Sequence, residues 1–106
     1  MHDVSIKSLR KLCHLDKIKW TTHALSRMRE RKISSDIVIN AILSGEIIKL
    51  YQDDKPFPSC LVFNMDSAAP LHVVVSTDRI NVYVITAYQP ILDEWENDYK
   101  TRKEMI

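Results

Sequence analysis

The chain is poor in the residues that most often mark chemistry. Among 106 residues there is one glycine, Gly45, two cysteines and four prolines. A single glycine excludes the glycine-rich loops that cradle nucleotide phosphates, and no serine stands in a nucleophile elbow. Cys13 and Cys60 are far apart and form no C-x-x-C pair, so a zinc site or redox motif is not expected. Flanked by Leu12, Leu15, Leu61 and Val62, both read as small buried hydrophobes, with a single disulfide between them left open. No apolar run approaches the roughly 18 residues of a membrane span. The start, Met1-His-Asp-Val-Ser-Ile-Lys, lacks a basic region followed by an apolar stretch, so no signal peptide is read and a cytoplasmic location is expected. Asp53-Asp54 is an acidic pair without a third ligand at recognisable spacing, so neither a metal nor another cofactor is expected.

Acidic residues are scarce in the first third. Residues 1–33 hold nine Lys or Arg against three acids, a balance of +6, and the rest of the chain stands at −5. This asymmetry fits a positive face for an anionic partner, or solvated helix faces that pair with an acidic C-terminal helix.

The length suits one domain, residues 1–106, able to bury a core without metal or disulfides. Leu9, Leu12 and Cys13 have the spacing of an amphipathic helix over residues 4–15, with Ser5 as its cap and Asp16-Lys-Ile-Lys as a connector. Thr21 or Thr22 caps a second helix running to about Arg31. On it His23, Arg27, Glu30 and Arg31 share a sector of about 100°, beside an apolar stripe of Ala24, Leu25 and Met28. Ser34 or Ser35 caps a third helix, Ile37 to Ser44, and Gly45 is expected to end it in the left-handed conformation. Four β-rich segments follow: 46–52, 59–64, 71–76 and 82–88, divided by loops at 53–58, 65–70 and 77–81. Such short connections predict an antiparallel meander. Asp93 to Glu104, acidic then basic, is expected to form a last helix with Trp95 and Tyr99 on its packing edge. The predicted fold is α+β: N-terminal helices, a four-stranded antiparallel meander sheet and a C-terminal helix.

A turn centred near Arg79 would set His72 opposite Thr86, Val74 opposite Val84 and Ser76 opposite Val82. Tyr88 then shares their face, and a one-residue change of register would break the group. His23 and His72 could serve as general acid and base, Arg27 and Arg31 could grip a phosphate, and Thr86 and Tyr88 could position it or the attacking hydroxyl. The alternative is structural: a histidine near a helix start, as His23 is, or within a valine-rich strand, as His72 is, is more often a hydrogen-bonded packing residue than a catalyst.

Several segments taken together resemble a bacterial family, the domain of unknown function DUF forty-two fifty-eight. They are Thr22-His-Ala-Leu-Ser-Arg-Met-Arg-Glu-Arg-Lys-Ile, Ile42-Leu-Ser-Gly-Glu-Ile-Ile, Tyr51-Gln-Asp-Asp-Lys-Pro-Phe-Pro-Ser-Cys-Leu, Leu71-His-Val-Val and Ile85-Thr-Ala-Tyr-Gln-Pro. The resemblance covers about residues 18–102. That family is thought similar to the barnase, EndoU, colicin and RelE nucleases, small α+β domains, many of them toxins that cut RNA without metal through a 2′-hydroxyl nucleophile. It implies His23, Arg27, Arg31, His72, Thr86 and Tyr88 as site residues, RNA as partner and an antitoxin protein as a further one; no membrane partner is expected, for want of a long apolar run. The expected function is a metal-independent endoribonuclease. The alternatives are a non-catalytic module that binds nucleic acid or protein, and a homodimer paired through a sheet edge.

Overall fold

The structure, a computed structural model, describes residues 4–66 and 69–104. Three helices precede most of the sheet: α1 (Ile6–His14), α2 (Thr22–Arg31) and α3 (Ser35–Ser44). Each starts on a side-chain cap that takes up an otherwise unpaired amide. Ser5 accepts from Ser8 N, Thr21 from Ala24 N, and Ser34 from Ile37 N.

Five strands form one sheet: β1 (Ile18–Trp20), β2 (Glu46–Tyr51), β3 (Ser59–Asp66), β4 (Ala69–Thr77) and β5 (Val82–Tyr88), in the spatial order β1-β5-β4-β3-β2. β2 to β5 are the expected antiparallel meander. The sheet is nonetheless mixed, because the segment read as a connector is a strand. Ile18, Lys19 and Trp20 pair in parallel with Val82, Tyr83 and Val84. Short loops exclude a parallel partner only between consecutive strands; here the first strand meets the last, with the whole domain as the crossover. Much of the predicted 65–70 loop is strand, since β3 and β4 pair as far as Asp66 and Ala69. Its tip, residues 67–68, lies outside the described residues.

Helices cover one face of the sheet. Leu9, Ala24, Met28, Val38, Ala41 and Ile42 pack against Cys60, Val62, Leu71, Val73, Val75, Val82, Val84 and Ala87. Burying each Leu, Ile or Val side chain contributes about 1.5–3 kcal/mol, so this layer dominates stability. Cys60 lies inside it, and burial pushes its thiol up to about 12. Cys13 is half-buried, and both cysteines are free thiols.

Two helix ends correct the reading of Gly45. Gly45 is extended, at φ −88° and ψ −166°. It is needed for closeness: a Cβ there would lie 2.5 Å from the Ala41 carbonyl oxygen and nearer still to that of Phe63. The left-handed helix end belongs to Lys32, φ 58°, at the close of α2. The α3 terminus is capped from outside, where the Arg10 guanidinium donates to the Ile42 and Gly45 carbonyls at 3.2 and 2.5 Å.

Among the described residues no helix follows β5. After one helical turn, in which Glu94 and Trp95 N–H reach the Ile91 carbonyl, the chain folds back on itself. Trp95 and Arg102 form an antiparallel bridge, and Asp98 caps the turn by accepting from Lys100 N, Thr101 N and the Thr101 hydroxyl. Asn97-Asp98 favours such side-chain-to-backbone bonds over a helix interior. The resulting strap, residues 91–104, lies across the sheet face opposite the helices.

Candidate functional site

The open face is built by a bulge. Thr77 pairs with Val82 and Val75 with Val84, but Val74 pairs with Thr86 and His72 with Tyr88, leaving Ile85 as the extra residue. Below the bulge Val82 and Val84 face the helices, whereas beyond it Ala87 does. Thr86 and Tyr88 are thereby turned to the other side, with His72. The expected grouping of these three on one face therefore holds, but its register does not. His72 opposes Tyr88, not Thr86; Val74 does not oppose Val84; and Val82 pairs with Thr77, not Ser76. The reason is a four-residue loop, 78–81, tied by the Asp78 carboxylate accepting from Ile80 N and Asn81 N, combined with the bulge.

His72 is fully enclosed, 0% exposed. Trp95 stands edge-on at 4.5 Å between ring centroids, Tyr88 at 5.2 Å and Phe63 at 5.8 Å. Its Nε2 lies 2.7 Å from the Tyr99 carbonyl, which can only accept, so Nε2 carries the proton. Nδ1, 3.2 Å from the Tyr88 hydroxyl, is then the acceptor in the neutral ring. Burial lowers the His72 pKa, opposed in part by the Tyr99 bond. Tyr88 is half-buried, and burial chiefly raises its pKa.

Arg31 reaches the open face around the exposed part of β5, beyond the end of β1. Its guanidinium donates to the Ala87 carbonyl at 2.8 Å and to the Thr86 hydroxyl at 3.3 Å. Four of the six predicted site residues are thus paired by contacts, Arg31 with Thr86 and His72 with Tyr88. His23 and Arg27 are not. Both are exposed on α2, whose Ala24 and Met28 pack on the helix side of the sheet, and Arg27 pairs with Glu30 at 3.2 Å. A shared acid–base pair of His23 and His72 is not formed, because the helix holding one and the ring of the other lie on opposite faces. Leu25, expected in the apolar stripe, is 45% exposed.

Two adjoining basins run along the open face. The first, about 600 Å³, is lined by Arg31, Tyr88, Gln89, Glu94, Trp95 and Arg102 among others. The second, about 390 Å³, is lined by Lys49, Tyr51, Tyr88, Trp95, Lys100 and Arg102 among others. Arg102 stacks on Trp95, its guanidinium carbon 5.4 Å from the ring centre, and approaches Glu94 at 3.9 Å. Lys100 pairs with Glu46 at 3.1 Å. Lys49, Tyr51, Trp95, Lys100 and Arg102 were not legible as site residues. Trp95 and Arg102 read as parts of a helix, and nothing in their spacing signals a strap. The one usable sign was Glu-Ile-Ile-Lys-Leu-Tyr, whose Lys49 and Tyr51 alternate onto one strand face. Among the described residues no group of three or more His, Cys, Asp or Glu could hold a metal ion, and no helix is long and apolar enough to cross a membrane.

No curated protein and no solved structure matches the chain. A family model does match, over residues 20–89, which takes in α2 with Arg31, the bulged strand and Tyr88, and stops before the strap. The chain therefore belongs to the family described as Domain of unknown function (DUF4258).

Proposed function

We propose that the protein is a metal-independent endoribonuclease that holds single-stranded RNA in the two-basin groove. The observation that carries this reading is the groove's make-up: four cations, Arg31, Lys49, Lys100 and Arg102, interleaved with the rings of Tyr51, Tyr88 and Trp95. Cations along a track with aromatic faces between them suit a phosphate backbone with unpaired bases.

The chemistry follows from the His72–Tyr88 pair. The RNA 2′-hydroxyl gives its proton to the Tyr88 oxygen while the phenol passes its own to His72 Nδ1. The 2′-oxygen bonds to the adjacent phosphorus, and the bond to the 5′-oxygen breaks. The departing 5′-oxygen takes the proton back through Tyr88, leaving a 2′,3′-cyclic phosphate and a 5′-hydroxyl strand. Arg31 and Arg102 offset the charge that builds on the phosphate oxygens. His23 and Arg27 take no part. An antitoxin that covers the groove would belong to the same reading.

A second reading, binding without cleavage, is favoured by the complete enclosure of His72 and the engagement of both its nitrogens. End-labelled RNA incubated with EDTA separates the two. Cleavage is expected for the wild type, with Tyr88→Phe slower by about 10²–10⁴-fold yet still binding. RNA that is bound but left intact would select the second reading. RNA neither bound nor cut would remove both.

A further inference from the structure

We infer that the second basin is a nucleobase subsite that stacks one unpaired base on the Tyr51 ring, beside the phosphate held by Arg31 and Arg102; this rests on the RNA reading of the groove. The two basins share Tyr88, Trp95 and Arg102 as a common wall, so a strand seated in one continues into the other. Their side chains differ. The first contains the carboxylate of Glu94, whereas among the described residues the second is lined by Lys49, Lys100 and Arg102 without a carboxylate, Glu46 reaching it only through its ion pair with Lys100. At about 390 Å³ it falls in the size range of small-ligand sites.

Tyr51 is prepared for stacking. It pairs with Ser59 at the end of β2, which places its ring on the open face with Leu61 and Lys49. It is half-buried, so little side-chain freedom remains to be lost on binding. Lys49 Nζ lies over one face of the Tyr51 ring, 5.6 Å from its centre, so a base stacking on that face takes the cation's place against the ring, with the flexible lysine moving to the base's edge. A base in a duplex has both faces covered by its neighbours, so the site takes only unpaired strands.

The test uses a trinucleotide, 2′-O-methylated to block cleavage, with 2-aminopurine at its centre, beside the same strand made abasic there. Aminopurine fluorescence should be quenched on binding. Tyr51→Ala should weaken the aminopurine strand by about five- to 150-fold and leave the abasic strand unchanged. Tyr51→Phe, which keeps the ring, should stay within about two-fold of wild type. Equal effects of Tyr51→Ala on both strands, or none on either, would overturn the subsite while leaving the phosphate site standing. Arg31→Ala should weaken both strands alike. If the wild type binds neither strand, the RNA reading fails and the subsite with it.

Discussion

At the scale of single residues, His72 decides the most. The sequence offered it as a free acid or base; the structure makes it a neutral ring with its tautomer fixed by the Tyr99 carbonyl. Its folded pKa is lowered from 6.5, first by burial. Between the folded and the ordinary value the unfolded chain binds more protons, so stability rises with pH there and falls as pH drops below about 6.5. The urea midpoint should therefore decline from pH 7.5 to pH 5. In His72→Gln, which keeps a donor for Tyr99 but does not titrate, that part of the decline should vanish; an unchanged decline would show that other groups cause it. Arg31 is the residue where the reading by pattern went furthest. The helical wheel set it beside the apolar stripe, and the structure extends it to Thr86 and Ala87. His23 and Arg27 share that sector, but they stand nearer the helix start, both exposed, and Arg27 turns to Glu30 on its own helix.

Among the elements, helix starts and strand positions were legible because caps and alternation are local. Ser5, Thr21 and Ser34 each cap as their side chains require. Helix ends were less so, because Lys32 takes the left-handed state without being glycine, and Gly45 is glycine for want of space. Lys32→Gly should thus stabilise the fold by about 1 kcal/mol, as the strain is relieved. Gly45→Ala should destabilise it by about 1–3 kcal/mol or more, as overpacking does, because both neighbours are backbone carbonyls. Paired denaturation curves would check the opposite signs. The β5 bulge was beyond pattern reading for a different reason. Val82-Tyr-Val-Ile-Thr-Ala-Tyr alternates acceptably in either register, and only the pairing across β4 selects Ile85 as the extra residue. The C-terminal strap was hidden by charge order, since acids before bases suit a helix as well as the bridge between Trp95 and Arg102.

For the whole molecule, the basic first third is only a minor contributor to the groove. It supplies Arg31, while Lys49, Lys100 and Arg102 come from the net-acidic remainder. Charge balance along a chain is a poor guide to charge in space once distant segments are brought together. If three or four of these cations meet phosphates, log affinity for single-stranded RNA should fall with log salt at a slope of about −2 to −3. A flat salt response would argue against a phosphate track. The parallel pairing of β1 with β5 has a consequence for synthesis. Residues 18–20 leave the ribosome early but find their partner only when residues 82–84 emerge. α2, which packs on β5, must wait as well. The apolar face of α2 therefore stays uncovered through most of translation, whereas α3 can pack on β3 and α1 on α3 before β5 emerges, and the domain closes fully only with β5. The strap follows β5, so the groove can be completed only after the core has closed, and a chain stopped before residue 91 would carry Arg31 and Tyr88 but no Trp95 or Arg102 to finish the site.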